Sequence, residues 1–326
     1  MIALGIESTA HTIGVGIVEG RRVLANVRRM YKPPSGQGIL PRLAADHHAM
    51  HIAPAIGEAL SAAGISEREV DLFSFSKGPG IGQCLRVSCC AAKYLAARHK
   101  KPILGVNHCQ AHLEICKWQL SLSDPLSVYV SGANTQLIVE NKKAKKGQPR
   151  FSVIGETLDM GLGNLFDVFA REAEFAYPHG SEVARMAEKG RFFPLPYTVK
   201  GMNFAFAGLL TSAVRSLREH PAEDVCHSLM ETAFAEICEA SERALCLTGK
   251  REVTVCGGVA QNARFCGMLS SMCRHHGARF CTVAPEFNAD NGAMIACAAL
   301  SEFGRGKRDA LLGLSPDGYW RIDQVY

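Results

Sequence analysis

Several features that define whole classes of protein are missing from this sequence. No apolar run reaches the roughly 18–20 residues that a membrane-spanning helix needs. The 13 cysteines are an odd number, and no two have the C-x-x-C spacing of a zinc knuckle. The opening stretch MIALGIESTAHTIGVGIV lacks the basic region of a secretory signal and is interrupted by glycines. We therefore expect a cytoplasmic protein with buried thiols, without a disulfide framework and without a membrane partner.

A strong excess of one charge is also missing. The chain has 36 basic and 31 acidic residues and a formal net charge of +5. That balance permits a nucleic-acid partner but does not require one. The composition, 47% hydrophobic and 21% charged, is typical of a soluble globular protein. A length of 326 residues suits two domains of ordinary size.

The chain contains two copies of the same pattern. Residues 2–30 predict a β-hairpin, and residues 126–157 predict another, with a solvated lysine-rich tip at 142–146. Residues 70–108 and 252–285 each predict a strand, a glycine turn, a helix and a second strand. Two such copies predict two duplicated α/β lobes of the RNase H-like type.

The duplication predicts the domain organisation. We expect a first lobe at 1–122, completed by a C-terminal helix and tail at 292–326, and a second lobe at 123–291. Glycine turns before helices leave backbone N–H groups free at the positive end of the helix, which favours phosphate. Two lobes that face a central cleft with such loops are typical of the actin/Hsp70/sugar-kinase (ASKHA) fold, which binds nucleotide.

Two histidines stand four residues apart in the stretch NHCQAHLEIC. On a helix, His108 and His112 would project from one face about 6 Å apart, a spacing that suits two imidazoles on one cation. Core or capping histidines are the alternative. A zinc peptidase would need H-E-x-x-H, but Cys109 occupies the glutamate position and Glu114 lies on another face of the helix. The peptidase mechanism therefore fails.

Other residues could complete a metal site. His108 and Asp290 follow equivalent strands of the two copies, so we expect them at corresponding strand exits that face one cleft. Tyr129 could add a phenolate. A set of two histidines, a tyrosine and an aspartate favours iron, and zinc also fits. The alternative for Asp290 is the N-cap of the helix GAMIACAAL.

Eight motifs occur in order along the chain: GIESTAHTIGVGIV, KGPGIGQCLRV, GVNHCQAHLEI, YVSGANTQLIV, GETLDMGLGNLFDVFAR, LPYTVKGM, CGGVAQNARF and DNGAMIA. Together they resemble the universal tRNA threonylcarbamoyladenosine transferase family. Its members are the catalytic subunits of the KEOPS complex in archaea and eukaryotes and were formerly called O-sialoglycoprotein endopeptidases. The resemblance runs from residue 2 to about residue 325.

The resemblance implies an ASKHA fold and a defined reaction. The threonylcarbamoyl group of threonylcarbamoyl-AMP would pass to N6 of the adenosine next to the anticodon, in tRNAs that read codons beginning with A. Partners would be tRNA and the other KEOPS subunits, namely a kinase-like ATPase, a small dimerising subunit and a tRNA-binding subunit.

The resemblance also implies the site residues. The metal would be one Fe²⁺ per subunit, or Zn²⁺, bound by His108, His112, Tyr129 and Asp290. The implied catalytic residues are His108, His112 and Asp290. Threonylcarbamoyl-AMP as substrate, and ATP or AMP as ligands, would contact a set of residues in the second lobe: Tyr129, Val130, Ser131, Gly132, Ala133, Asp167, Gly180 and Asn262.

Three positions depart from the family pattern. Ala133 and His179 replace glycines, in SGGNTQ and in the Pro-Gly-Gly that reads 178–180 here, and Ala184 replaces a glutamate that often binds ribose. Glu182 is two residues away and would point elsewhere on a helix. Two other functions stay open: a small-molecule kinase of the same fold and a non-catalytic nucleotide-binding subunit. The first strand ends in GIEST instead of the Asp-x-Gly-Thr of such kinases, and the intact metal set disfavours the second alternative.

Overall fold

The computed structural model describes residues 1–34, 38–145, 147–176 and 179–326. Contacts divide the chain into two compact units. The first unit contains Met1–Ser121, Val283–Tyr326 and a short segment that ends at Pro149, and the second contains Leu122–Lys145 and Arg150–Thr282. Two residues named in the sequence analysis lie outside the ranges that the structure describes. They are Lys146, at the end of the lysine-rich tip, and Pro178, which precedes the family departure at His179.

Each unit begins with three consecutive strands, and helices and further strands follow. The first unit begins with β1 (Ile2–Glu7), β2 (Thr12–Glu19), β3 (Arg22–Met30), α1 (Pro41–Ala63), β4 (Leu72–Gly78), α2 (Gly82–His99), β5 (Ile103–Asn107) and α3 (His108–Leu120). The second unit contains β6 (Leu126–Val130), β7 (Thr135–Glu140), β8 (Phe151–Glu156), α4 (Leu162–Glu172), α5 (Gly180–Ala187), β9 (Val199–Lys200), β10 (Asn203–Phe204), α6 (Ala207–Ser216), α7 (Ala222–Thr248), β11 (Glu252–Cys256), α8 (Ala263–His275) and β12 (Arg279–Thr282). The chain then returns to the first unit with α9 (Pro285–Asn288) and α10 (Gly292–Gly304). No helix within the described ranges is long and apolar enough to cross a membrane.

Both units contain a five-stranded sheet with the same topology. The first has the order β3-β2-β1-β4-β5 and the second β8-β7-β6-β11-β12. In each sheet the first three strands form an antiparallel meander, and the last three are parallel and joined by crossover connections. The duplicated α/β architecture predicted from the sequence is therefore confirmed.

One face of the first sheet packs on α1 and α2. Leu4, Ile6 and Val15 are fully buried there, in one apolar cluster with Ile52 of α1 and Cys89 of α2. Because successive side chains of a strand point to opposite faces, Gly5, Gly14 and Gly16 are left for the other face. That second face carries no large side chain at these positions.

Helix α10 lies against the glycine face at backbone contact distance. A Cβ atom built on Gly5 would lie 2.3 Å from the amide nitrogen of Ala296, and one built on Gly16 would lie 2.0 Å from that of Ala293. Gly292 makes the reciprocal approach, since a Cβ there would lie 2.1 Å from the nitrogen of Gly16. Any larger residue at these positions would push the helix away from the sheet.

The glycine contact gives a test of stability. Gly16→Ala should lower the free energy of unfolding by about 1–3 kcal/mol or more, because overpacking is relieved only by moving backbone. Gly57→Ala is the matched control, since Gly57 is exposed within α1 and its Cβ would meet no atom within 4 Å. Alanine there should stabilise by about 0.5–1 kcal/mol. Urea denaturation of both variants makes the measurement, and equal effects would contradict the contact.

Candidate functional site

Helix α3 begins directly at the carboxyl end of β5. The Asn107 side chain caps the helix, because its Oδ1 accepts from the N–H of Gln110 at 3.1 Å. Its Nδ2 donates to the carbonyl of Trp320 at 2.9 Å, which fixes the helix start against the C-terminal tail. His108 and His112 lie one turn apart on this helix, with ring centroids 4.8 Å apart and planes at 87°. The helix expected over these residues is present, and both histidines are buried.

Asp290 lies beside both histidines. Its Oδ1 is 3.3 Å from Nε2 of His112 and 3.6 Å from Nε2 of His108. One ligand atom from each of the three residues falls within 4.8 Å of the others. The alternative role of Asp290 as a helix cap is wrong, because Asn291 caps α10 by accepting from the N–H of Met294 at 2.9 Å. The carboxylate of Asp290 is therefore available to the histidines.

A second carboxylate holds His108 from the opposite side of its ring. Oε2 of Glu7, at the end of β1, is 3.1 Å from Nδ1 of His108. Oε1 of the same carboxylate accepts from the N–H and the hydroxyl of Thr9, at 2.6 and 2.5 Å. A carboxylate only accepts hydrogen bonds, so Nδ1 of His108 carries a proton and Nε2 faces Asp290. A carboxylate on the second ring nitrogen is the usual partner of a metal-binding histidine.

Sequence reasoning missed this role of Glu7. In the sequence, Glu7 is only the acidic residue of GIEST, where kinases of this fold have the aspartate of Asp-x-Gly-Thr. The available signal was a carboxylate at the end of an apolar strand, since the fully buried Glu7 must find hydrogen-bond donors. The sequence alone could not identify His108 as the donor to Glu7, because His108 is 101 residues away along the chain.

The electrostatics of the cluster favour a positive charge. Burial lowers the pKa of His108, but the carboxylates of Glu7 and Asp290 outweigh burial and raise it to about 9. Burial lowers the pKa of His112. Burial would raise the pKa of Asp290, yet His108 and His112 hold it well below its usual value. A cation between the two carboxylates is thus favoured, whether that cation is a proton on His108 or a metal ion.

The donor set fits a transition metal. Two imidazole nitrogens and one carboxylate oxygen are ligands that iron and zinc both accept. His112 is completely buried and His108 is 7% exposed, so little water competes for their nitrogens. Tyr129 stands at the end of β6 in the second unit with 1% of its surface exposed, and its role as a further ligand stays a prediction.

The predicted nucleotide loop follows β6. The N–H of Ser131 donates to the carbonyl of Asn134 at 2.8 Å, and the N–H of Asn134 donates to the Ser131 hydroxyl at 3.1 Å. Gly132 and Ala133 form the exposed centre of this turn. Ala133 is not among the non-glycine residues with positive φ, so the turn accepts its methyl group without backbone strain.

Other glycine loops of the second unit meet this turn. A Cβ on Gly161, just before α4, would lie 2.4 Å from the carbonyl oxygen of Gly132. Gly257, just after β11, has a φ of +99°, and a Cβ there would lie 2.2 Å from the carbonyl oxygen of Val130. The end of β6, the start of α4 and the loop after β11 are therefore in backbone contact.

The remaining predicted nucleotide residues have structural contacts of their own. Oδ1 of Asp167 accepts from the N–H of Gly180 at 2.7 Å, so these two predicted residues lie together. The Asn262 side chain caps α8 by accepting from the N–H of Phe265 at 3.0 Å. Substrate contacts at these positions stay predictions.

The departures near α5 have structural explanations. His179 caps this helix, because its Nδ1 accepts from the N–H of Ser181 at 3.2 Å. Ala184 packs against the apolar core of the second unit. Glu182 forms an ion pair with Arg185 at 2.5 Å. The glutamate two residues from the family position is thus engaged on the surface of its own helix.

The contact between Glu7 and His108 gives a test through metal affinity. Glu7→Gln keeps the size of the side chain but removes its charge, and it should weaken Zn²⁺ binding about tenfold to a hundredfold, the usual effect of losing such a partner. Glu67→Gln is the matched control, because Glu67 binds His99 at 2.7 Å outside the cluster. Competition with a fluorescent chelator measures both affinities. Equal affinities for the two variants would remove Glu7 from the site.

Comparison with known proteins gives one consistent result. Residues 22–297 match the TsaD family model, described as tRNA N6-adenosine threonylcarbamoyltransferase. The tRNA N6-adenosine threonylcarbamoyltransferase of Thermococcus kodakarensis is 46% identical over 328 residues, covering 100% of this chain and 98% of that protein.

Two solved structures show the fold alone. T. kodakarensis HypF is 14% identical with a TM-score of 0.62, and the match covers 94% of this chain but only 48% of HypF. The ROK hexokinase of Thermus thermophilus is 17% identical with a TM-score of 0.52, and the match covers 94% of this chain and 100% of the hexokinase. Both neighbours are of the ASKHA type, as predicted for this chain.

Proposed function

Because the chain belongs to the tRNA N6-adenosine threonylcarbamoyltransferase family, we propose that it transfers threonylcarbamoyl from threonylcarbamoyl-AMP to tRNA. The acceptor is N6 of the adenosine next to the anticodon, in tRNAs that read codons beginning with A. The observation that carries the proposal is the cluster of the buried His108 and His112 with the partly buried Asp290, whose ligand atoms lie within 4.8 Å of one another.

The reaction makes particular demands on the site. The bond between the carbamoyl carbon and the phosphate oxygen breaks, AMP leaves, and N6 of adenine loses a proton as it is acylated. The exocyclic amine is a poor nucleophile because its lone pair is delocalised into the ring. Rate enhancement should therefore come from alignment of the two reactants and from stabilisation of charge on the carbonyl oxygen.

We assign the metal-binding role to His108, His112 and Asp290, with Tyr129 as a fourth ligand and Fe²⁺ or Zn²⁺ as the ion. A bound ion would supply Lewis-acid polarisation of the carbamoyl carbonyl. The chain's own residues do the rest. Glu7 fixes the tautomer of His108 through Nδ1, and the burial of His112 limits the access of water that would hydrolyse the anhydride.

The nucleotide is assigned to the second unit. The glycine turns at 131–134 and 257–258 offer close backbone approach to the AMP phosphate, as phosphate-binding loops do. Asp167, Gly180 and Asn262 would hold the adenosine. The acceptor base must leave the stack of the anticodon loop to be reached, as RNA-modifying sites generally require.

Peptide hydrolysis is not supported by the same cluster. A zinc peptidase needs a glutamate that activates water, and the residue after His108 is the buried Cys109. Within the part of the chain that the structure describes, the acid nearest to His108 besides Asp290 is Glu7, whose two oxygens already accept from His108 and Thr9. Glu7 is therefore not placed to take a proton from water.

Partners are inferred from the chemistry and the family. A net charge of +5 is small for a protein that must neutralise many tRNA phosphates alone. We propose that it works with the KEOPS subunits: a kinase-like ATPase, a dimerising subunit and a tRNA-binding subunit. All 13 cysteines are free thiols, which agrees with the reducing cytoplasm where we place this activity.

The proposed transferase is tested with purified chain, partner subunits, tRNA and threonylcarbamoyl-AMP. Asp290→Ala and Asp290→Asn should lower the rate of transfer by about a hundredfold or more, the scale of losing an electrostatic stabiliser. Cys109→Ala is the matched control on the same helix as the histidines and should keep the rate within about a few-fold of wild type. Circular dichroism checks that each variant is folded.

Three other outcomes would overturn the assignment. Equal rates for the Asp290 and Cys109 variants would show that the cluster does not contribute to threonylcarbamoyl transfer. Metal-dependent cleavage of a protein by highly purified enzyme, abolished by His108→Ala, would restore the peptidase function. Phosphoryl transfer from ATP to a small molecule, without transfer to tRNA, would favour the kinase alternative.

A further inference from the structure

A second cluster of reactive groups lies in the second unit. Cys246 and Glu242 are four residues apart on α7, so both side chains are on one face of the helix. His276 follows α8 and lies between them: its Nδ1 is 3.8 Å from Sγ of Cys246, and its Nε2 is 2.5 Å from Oε1 of Glu242. A thiol, an imidazole and a carboxylate in this sequence of contacts form the arrangement of an activated cysteine nucleophile.

The contacts of His276 decide where its protons are. The Glu242 carboxylate can only accept, so Nε2 of His276 is the donor. Nδ1 is then free to accept the thiol proton of Cys246. The ring is also held through its backbone, because the N–H of His276 donates to the carbonyls of Met272 and Cys273, and its own carbonyl accepts from Arg251 at 3.3 Å.

The other cysteines lack this combination. All 13 lie within the described ranges, and only Cys90 and Cys246 are exposed. Burial raises the pKa of the Cys84 thiol to about 11 and that of the Cys226 thiol to about 12. Cys90 is exposed, but within the described ranges its thiol has no imidazole partner among the hydrogen bonds. Exposure and a base therefore coincide at Cys246.

Cys246 opens into a shallow depression of about 160 Å³. It is lined by Leu245, Cys246, Gly249, Lys250, Arg251 and His276. Lys250 is paired with Asp124 at 2.5 Å, whereas the exposed Arg251 has no carboxylate partner among the described ion pairs. The depression thus carries an unpaired positive charge beside the thiol, which favours a small reagent with carboxylates.

We propose that Cys246 is a modification site that forms a mixed disulfide with small disulfides bearing carboxylates. The thiol proton passes to Nδ1 of His276, and the thiolate attacks one sulfur of the small disulfide. The S–S bond of the reagent breaks as the new S–S bond to Cys246 forms, and the departing thiolate takes up the proton as a free thiol. The small disulfide is the oxidant, so no other co-reactant is needed.

The test uses the fully reduced whole chain with a limiting amount of oxidised glutathione at pH 7. Peptide mapping by mass spectrometry gives the rate of modification at each cysteine. Cys246 should react at least about tenfold faster than Cys90, because Nδ1 of His276 lies 3.8 Å from its sulfur and can take the thiol proton during the attack. This comparison is made within one wild-type protein, so it does not depend on the folding of a variant. Equal rates at the two cysteines would overturn the proposal.

Two variants test whether the reactivity of the Cys246 thiol depends on the His276 imidazole or only on the exposure of the thiol. His276→Asn should slow modification of Cys246 about tenfold, to the rate of Cys90. His275→Asn is the matched control on the neighbouring residue, whose Nδ1 binds the carbonyl of Ser271 at 2.8 Å, and it should leave the rate unchanged. Equal slowing by both variants, or none by His276→Asn in a folded protein, would remove the imidazole from the site.

A third variant tests the charge of the depression. At low salt, oxidised glutathione should react with Cys246 faster than the cationic disulfide cystamine, and Arg251→Gln should abolish that preference. A preference for cystamine in the wild-type protein would contradict the assigned ligand class.

Discussion

The backbone contact between α10 and the first two strands controls the geometry of the cluster of His108, His112 and Asp290. Gly16 and Gly292 each lie against the other element's backbone with no room for a side chain. Glu7 is the last residue of β1, and Asp290 lies two residues before α10 begins. The same contact therefore fixes two carboxylates, one on each nitrogen of the His108 ring. A change of a few ångströms in the distance between helix and sheet would separate Asp290 from both histidines.

In the first unit, short sequence patterns predicted some features of the site. Contacts between residues that are far apart in the sequence could not be read from such patterns. The four-residue spacing of His108 and His112 was enough to predict that the two would share one face if this stretch is a helix. The duplication of strand–helix units predicted that Asp290 would lie near His108, because the two residues follow equivalent strands. Whether it or Asn291 would cap α10 could not be decided from two adjacent residues that cap equally well. The structure decides it, because only the side chain of Asn291 reaches the N–H of Met294.

The second unit shows a different limit of sequence reasoning. Asp167 and Asn262 were predicted as nucleotide contacts, and each also hydrogen-bonds a backbone N–H that begins a helix. Side chains of this type serve both purposes, so residue type alone does not separate the two roles. The relation of Cys246 to His276 was also not predictable, because it depends on how α7 and α8 pack. Their sequences give only the apolar faces that bring the two helices together.

The distance along the chain between Asp290 and the two histidines has a consequence for biosynthesis. His112 and Asp290 are 178 residues apart, and every strand of both sheets precedes Asp290. On the ribosome, the second unit is complete in sequence before α10 has been translated, whereas the first sheet still lacks the helix that covers its glycine face. The three-residue cluster can therefore assemble only after Asp290 and α10 have been translated. A nascent polypeptide that stops before Asp290 would hold at most the histidine pair.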